Sequence, residues 1–286
     1  MGGVTVGWSM ATCTPAVDGV RSIDELRRAA LHTFNERELD EYLQRLASEM
    51  PASRDRLVHI ARKAVGQPYR LFLLGEFPYE LHDADPLYCL SASDCVTFVE
   101  QSYAMALADD WPSFFRTLQR LRYRNGRIGI RTRNHFTEAD WNANNAWLFD
   151  VVTPSLAGAD LRLARVRTDR SAFLRQYDLY VARPVEWAEV PFIARQDWPR
   201  IADDLRPGDV VEFVRGDADA PYVSHMGIIL RDADGRPTLI HATEPAVREE
   251  PLADYVERCQ WITGMVYLRM KDGASPPEAA SSAVDR

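Results

Sequence analysis

Several features that mark well-known classes of protein are missing from this sequence. Its 286 residues include only four cysteines. None of them forms a C-x-x-C pair, so we expect neither a disulfide framework nor a structural zinc site. No apolar run approaches the ~20 residues that span a bilayer, and we expect no transmembrane segment. An excess of positive charge is missing too. The net charge is −8, which argues against a nucleic-acid partner.

The sequence also has no internal repeat, no phosphate-binding glycine loop and no G-x-S-x-G nucleophile elbow. What is present is ordinary globular composition, with 46% hydrophobic and 27% charged residues. In the first third, Ser22 with Glu25 and Asn35 with Glu38 have the spacing of capping boxes, and each pair precedes apolar residues at helical spacing. A third helix is predicted from Ser53 to Val65.

The middle of the chain predicts further helices. A strong one runs from Cys95 to about Ala108, and Asp94 stands at its capping position. A second helix follows over Trp111 to Leu121. The region from about 151 to 200 predicts a short strand, a helix over Ser171 to Val181, and loops.

The last third predicts strands. They are expected over Val210–Val214, His225–Leu230, Thr238–Ala242 and Gly264–Met270, and Asp232–Gly235 has the composition of a hairpin turn. Helices first and antiparallel strands afterwards indicate an α+β fold.

The chain divides by pattern into three parts. Residues 1–52 form a helical extension, 53–272 a main domain with an insertion around 122–200, and 273–286 a disordered tail. The segment Val4 to Cys13 is mildly apolar, but no Lys or Arg precedes it, so it is not a convincing signal peptide. The pattern leaves the cellular location open, and it predicts no oligomeric state.

Three residues indicate nucleophilic chemistry. Cys95 begins a predicted helix, where free N–H groups and the helix dipole favour a thiolate and can bind an oxyanion. His225 and His241 lie on partner strands, so one can act as a base that the other orients. The alternatives are a packed thiol and core histidines. The Asp94 carboxylate would raise the thiol pKa. A zinc site from His135, His225 and His241 matches no compact motif.

Five segments resemble the papain-like, NlpC-type cell-wall cysteine hydrolases, in the same order. They are Gly66–Tyr69, Ser93–Glu100, Arg206–Val211, Val223–Ile228 and Leu239–Ala242. Three more are similar to the N-acetylmuramoyl-L-alanine amidase-like branch of that superfamily, namely Leu121–Gly126, Thr132–Phe136 and Trp141–Asn145. The resemblance covers about Gly66 to Arg269.

The resemblance implies a papain-like α+β fold, with the Cys95 helix packed on a central antiparallel sheet. Cys95 would be the nucleophile, His225 the base and His241 the residue that orients it. Tyr69 would hold the oxyanion together with the Cys95 backbone N–H. No cofactor or metal is implied.

Further residues are expected to bind substrate. By the resemblance, Asp94 would contact a substrate amine, and Ser224 lies beside the base. In the insertion, Arg131 and Arg133 could pair with a stem-peptide carboxylate. His135 and Trp141 could line a sugar- or peptide-binding wall. The alternative is that these arginines form a solvated or structural network.

The expected function is therefore a cysteine hydrolase that cleaves an amide bond in peptidoglycan stem peptides through a thioester. The bond would be that of an N-acetylmuramoyl-L-alanine amidase or of a γ-D-glutamyl peptidase. Two alternatives stay open: an acyltransferase that passes the thioester to an amine, and a non-catalytic muropeptide-binding module. The family is usually periplasmic or secreted, whereas this N-terminus leaves a cytoplasmic location possible.

Overall fold

The computed structural model describes residue 13 and residues 21–156, 160–216 and 222–276. The apolar N-terminal segment, apart from Cys13, and residues 277–286 of the tail predicted over 273–286 lie outside the described residues. The helices are α1 (Ile23–Arg28), α2 (Glu36–Glu49), α3 (Ser53–Lys63), α4 (Cys95–Leu107), α5 (Trp111–Arg122), α6 (Asn142–Asn144), α7 (Arg170–Leu174) and α8 (Leu252–Arg258). No described helix is long and apolar enough to cross a membrane.

The predicted helix starts are confirmed. Ser22 and Asn35 both form capping boxes, with Glu25 and Glu38 respectively. The helix predicted over Ser171 to Val181 is wrong in length, because α7 ends at Leu174 and a 3-10 turn follows it. Asp178 then adopts a left-handed conformation with φ of 57°, which ends the helical run.

In the described part of the chain, eight antiparallel strands form one sheet. They are β1 (Phe149–Val151), β2 (Leu161–Thr168), β3 (Glu186–Ala194), β4 (Val210–Arg215), β5 (Tyr222–Arg231), β6 (Pro237–His241), β7 (Arg248–Pro251) and β8 (Ile262–Met270). The order across the sheet is β2-β3-β8-β4-β5-β6-β7, and β1 also pairs with β8. The four strands predicted in the last third are confirmed, and the turn between β5 and β6 has Gly235 at φ +80°.

The sheet separates two apolar layers. Val210 and Ile228 pack on the side of α4, together with its residue Phe98. Val211 and Ile229 point to the other side, where α8 covers them. Because side chains alternate along a strand, the apolar residues of β4 and β5 are buried on both faces of the sheet.

The N-terminal helices share the first of these layers. Leu26 of α1 and Leu39 and Leu43 of α2 are buried in the same cluster as Leu57 of α3. The mixed α/β architecture with an antiparallel sheet is therefore as predicted. The division of the chain at residue 52 stays a prediction.

Candidate active site

Cys95 is the first residue of α4, and its position is fixed by the cap before it. The Asp94 carboxylate accepts a hydrogen bond from the Thr97 backbone N–H at 2.8 Å, and the Asp94 N–H donates to Thr97 Oγ1 at 2.9 Å. This reciprocal cap holds the first turn, so the thiol stands at the open end of the helix.

The start of α4 lies beside β5, at a position where none of the described strands adjoins β5 on that side. Ile229 exchanges two backbone hydrogen bonds of 2.8 Å with Gly208 and Asp209 on the β4 side. By the alternation of an antiparallel ladder, Met226 directs its N–H to the opposite side. There β6 has already ended at His241. The Met226 N–H donates to the Cys95 sulfur instead, so the thiol adjoins the residue that follows His225.

His225 belongs to a hydrogen-bonded chain of three side chains. Its Nε2 lies 2.7 Å from His241 Nδ1, and His241 Nε2 lies 2.9 Å from Glu250 Oε1. His241 is completely buried. The sequence prediction that partner strands bring the two histidines together is confirmed. Glu250 on β7 extends the chain beyond what the sequence predicted.

The partners of this chain fix where its protons lie. Hydrogen bonds from Arg258 and His241 lower the pKa of Glu250 although burial opposes them, so the carboxylate is ionised and only accepts. His241 must then donate from Nε2, which leaves its Nδ1 as an acceptor. His225 therefore donates from Nε2 and keeps an unprotonated Nδ1, the nitrogen that a general base needs.

Burial keeps the side chains of His225, His241 and Cys95 neutral at neutral pH. It lowers the pKa of His225 to about 3 and that of His241 to about 4. Burial and the Asp94 carboxylate raise the pKa of Cys95 to about 12. Burial and the neighbouring anion therefore oppose the thiolate expected at the helix start, and they outweigh the backbone N–H groups of Met226, Val96 and Cys95, which lower the pKa. Because the Cys95 thiol and the His225 imidazole are both neutral, attack by Cys95 requires proton removal by a base.

Tyr69 lies beside this thiol. Its backbone N–H donates to the Pro245 carbonyl at 2.9 Å, and the flanking bonds from Ser93 N–H to Pro68 O (3.0 Å) and from Arg70 N–H to Ser93 O (3.1 Å) tie it to the start of α4. Burial and the nearby Cys95 and Asp94 raise the pKa of Tyr69 to about 12. The phenol therefore stays protonated and can donate a hydrogen bond.

Sequence reasoning missed two residues of the site. Tyr255 of α8 packs its ring 4.9 Å from that of His241 and 5.8 Å from that of His225. Glu250 follows another glutamate, Glu249, and only the β6–β7 register shows which of the two faces His241. No pattern in the sequence distinguishes them.

Two predicted substrate contacts prove to be structural. Trp141 is 2% exposed, and its Nε1 donates to Glu100 at 3.0 Å. A buried indole cannot line an open wall, so the predicted role is corrected to a core position. Arg133 forms ion pairs with Glu76 at 2.6 Å and with Asp83 at 2.7 Å. These pairs compensate its charge, so the arginine predicted to bind a substrate carboxylate already has its anions.

The remaining predicted residues fall into two places. The Ser224 hydroxyl is buried at a bulge of β5, and it has no hydrogen-bond partner in the described part of the chain. Arg131 and His135 line a cavity of about 300 Å³. His135 packs on Phe173, with ring centroids 4.5 Å apart.

No group of three or more metal-ligating side chains occurs among the described residues, so the zinc alternative finds no support.

Solved structures share this fold. A protein from Legionella pneumophila is 22% identical, with a TM-score of 0.70, over 82% of this chain and 95% of that one. An N-acetylmuramoyl-L-alanine amidase from Bacteroides uniformis is 25% identical, with a TM-score of 0.62, over 77% of this chain and 99% of that one.

Another structure of an amidase from Bacteroides uniformis is 26% identical, with a TM-score of 0.60, over 76% of this chain and 99% of that one. Comparison with curated proteins finds no match. The family model described as AmiA-like, N-acetylmuramoyl-L-alanine amidase-like matches residues 59–265. The chain therefore belongs to the AmiA-like family of N-acetylmuramoyl-L-alanine amidase-like proteins.

Proposed function

We propose that this protein is a cysteine-dependent amidase of the papain-like, NlpC-type superfamily, and that it cleaves the bond between N-acetylmuramic acid and L-alanine in peptidoglycan fragments. Membership of the amidase-like family supports the reaction class. The observation that carries the mechanism is the chain from Glu250 through His241 to His225, which ends one residue from the N–H that holds the Cys95 sulfur.

The first step in this proposal is attack by Cys95. Nδ1 of His225 takes the thiol proton as the sulfur bonds to the lactyl amide carbonyl. His241 and the ionised Glu250 stabilise the imidazolium that forms. Because Cys95 and His225 are both neutral beforehand, charge separation develops only in the transition state. Groups that stabilise this separation therefore accelerate the step.

The oxyanion formed in this step needs donors. The Cys95 backbone N–H has no acceptor within its own helix, since it belongs to the first turn, and the Tyr69 phenol is protonated. We assign these two groups to the oxyanion. Ser224, with its unpartnered hydroxyl beside the base, is assigned to the substrate.

Collapse of the tetrahedral intermediate completes acylation. The carbon–nitrogen bond breaks, and His225 returns its proton to the departing nitrogen of L-alanine. The Asp94 carboxylate lies beside Cys95 and favours the ammonium that results. Water, deprotonated by His225, then attacks the thioester, releases N-acetylmuramic acid and restores the thiol.

The test uses an N-acetylmuramoyl tripeptide of L-alanine, γ-D-glutamate and a diamino acid. An amidase releases the free tripeptide, whereas a γ-D-glutamyl peptidase releases the diamino acid, and mass spectrometry separates the two results. In ¹⁸O-water, hydrolysis places one ¹⁸O in the new carboxylate, whereas transfer to an amine does not. Release of the diamino acid, or no cleavage while iodoacetamide still labels Cys95, would overturn the proposed bond specificity.

A further inference from the structure

We propose that the cavity lined by the 124–144 segment and the 170–186 segment binds a carboxylate of the substrate's stem peptide. The carboxylate is recognised by Arg124 and Arg131, and the peptide chain rests on an aromatic floor. The identity of the ligand rests on the proposed function, whereas the anion-binding character follows from the cavity itself. Its volume of about 300 Å³ lies at the lower end of the range for small-molecule sites.

The cavity wall is attached to the strand that carries His225. The turn Thr137–Trp141 contributes Ala139 and Asp140 to the lining. On the same turn, Glu138 accepts a hydrogen bond from the Val223 backbone N–H, two residues before His225. A ligand in the cavity therefore contacts an element that is hydrogen-bonded directly to β5.

A neighbouring contact strengthens this attachment. Asn142, the first residue after the turn, donates to Glu212 of β4 at 3.1 Å. Glu212 lies opposite Met226 in the β4–β5 ladder. The wall is thus held to both β4 and β5 near Met226, whose N–H contacts the Cys95 sulfur, which places the cavity close to the site.

The charges of the lining leave a net positive rim. Five arginines face two carboxylates there. Arg170 pairs with both carboxylates, with Asp140 at 2.6 Å and Glu186 at 3.1 Å. Arg133 is compensated by Glu76 and Asp83, outside the lining.

The two remaining rim arginines of the 124–144 segment lie side by side. Arg124 N–H donates to the Thr132 carbonyl at 2.7 Å, so the backbone of Arg124 runs next to that of Arg131. Both side chains are exposed, and neither has an ion pair within the described ranges of the chain. Two guanidinium groups that extend from neighbouring backbone segments into one cavity can pair with the same anion. The carboxylates in the same cavity favour a singly charged carboxylate over a phosphate dianion.

The floor of the cavity is neutral and aromatic. Phe136 and Phe173 lie with their rings 5.3 Å apart. Burial lowers the pKa of His135 to about 4, so its ring is uncharged at neutral pH. His135 Nε2 lies 2.6 Å from the Ile130 carbonyl and donates to it. Its Nδ1 is left as an acceptor for a peptide N–H.

The experiment measures binding by calorimetry to the full chain carrying Cys95→Ala, so it does not depend on turnover. The probes are N-acetylmuramoyl-L-alanyl-D-glutamate, with both glutamate carboxylates free, and its amide, in which both of these carboxylates are converted to carboxamides. The acid should bind about tenfold tighter than the amide, because a charge-assisted pair replaces a neutral contact. Adding Arg124→Ala and Arg131→Ala should abolish this preference and leave affinity for the amide unchanged.

Arg127→Ala is the matched control, since Arg127 is exposed on the same loop but does not line the cavity. It should leave both affinities unchanged. Equal binding of acid and amide, no binding of either, or the same loss with Arg127→Ala would overturn the proposal. Tighter binding of inorganic phosphate than of the acid would overturn the carboxylate assignment. A carboxylate preference in a protein that cleaves no muropeptide would retain the cavity assignment and reject the proposed amidase function.

Discussion

Glu250 offers the sharpest test of how His225 becomes a base. Its Oε1 receives three donors, namely His241 Nε2 at 2.9 Å, Arg248 Nε at 3.0 Å and Arg258 Nη2 at 2.9 Å. Among the described residues, only Arg258 donates to Oε2, at 2.7 Å. In Glu250→Gln, the amide oxygen should occupy the position with three donors. The acceptor for His241 is then kept, whereas the negative charge and the hydrogen bond from Arg258 to the former Oε2 position are lost.

The expected magnitudes follow from this geometry. Glu250→Ala removes a charged hydrogen bond worth about 1.5–3 kcal/mol, which corresponds to roughly a 10- to 150-fold fall in kcat. At His241, Glu250→Gln loses only the charge assistance of about 1 kcal/mol, which corresponds to roughly a fivefold fall in kcat. KM should stay within about twofold in both variants, because the buried His241 separates Glu250 from the substrate.

The control is Glu249→Gln. Glu249 is the adjacent residue, but its carboxylate pairs with Arg62 at 3.0 Å and with Thr238 Oγ1 at 2.6 Å. The Glu249→Gln variant should have a lower unfolding temperature but an unchanged kcat. Thermal unfolding and steady-state kinetics measure these two quantities. An unchanged kcat in Glu250→Ala, or an equal fall in Glu249→Gln, would refute the role of Glu250 in positioning the base.

Three further outcomes are expected. Because burial lowers the pKa of His225 to about 3 and that of His241 to about 4, both stay neutral above those values. A pH profile of kcat/KM should therefore stay flat from pH 7 to pH 5; a fall through pH 6.5 would contradict this. Burial raises the pKa of Glu212 from 4.5 to about 8, so between these pH values the folded chain binds one proton more than the unfolded chain. The free energy of unfolding therefore falls by about 1.4 kcal/mol per pH unit as the pH rises from 4.5 to 8. Chemical denaturation should show this slope removed in Glu212→Gln, and an unchanged slope would count against it. Asp94→Asn keeps the helix cap but removes a charge that raises the pKa of Cys95. Alkylation of Cys95 at pH 8, followed by peptide mass mapping, should therefore be up to about tenfold faster in this variant. Slower alkylation would argue against the role of Asp94.

The parts of the fold that the sequence predicts are those with local signals. Capping boxes at Ser22 and Asn35 define helix starts because the contacts span only three residues. The strands β4 and β5 contain short runs of buried apolar residues on both faces, such as Ile228–Leu230, and such a run can be recognised without knowledge of its partner strands.

The β2–β3 hairpin shows where such signals end. Arg162, Arg165 and Arg167 make β2 look like a solvated segment, and Leu163 is 65% exposed. Only Ala164, Val166 and Thr168 are buried. Pairing between distant parts of the chain stabilises this hairpin, because β3 meets β8 at Ile193 and Met265. A short-range pattern does not contain that information.

The site divides in the same way. Cys95, His225 and His241 could be singled out because a helix start and two strand partners follow from local pattern. Trp141 was misassigned because its partner, Glu100, lies on a separate helix. Arg133 was misassigned because Glu76 and Asp83 come from a loop with no predicted structure. The burial of Trp141 and the ion pairs of Arg133 determine their roles, and both depend on tertiary contacts that the local sequence pattern does not contain.

The central claim is that Cys95 carries the acyl group. The most direct measurement is acid-quenched intact-protein mass spectrometry of the wild type, Cys95→Ala and Cys89→Ala during turnover of the N-acetylmuramoyl tripeptide. Cys89 is a buried residue of a separate small apolar cluster, so it serves as the control. We predict an N-acetylmuramoyl adduct on Cys95, sensitive to hydroxylamine, in the wild type and in Cys89→Ala, and neither adduct nor product in Cys95→Ala. Product formation by Cys95→Ala at the wild-type rate would contradict the account.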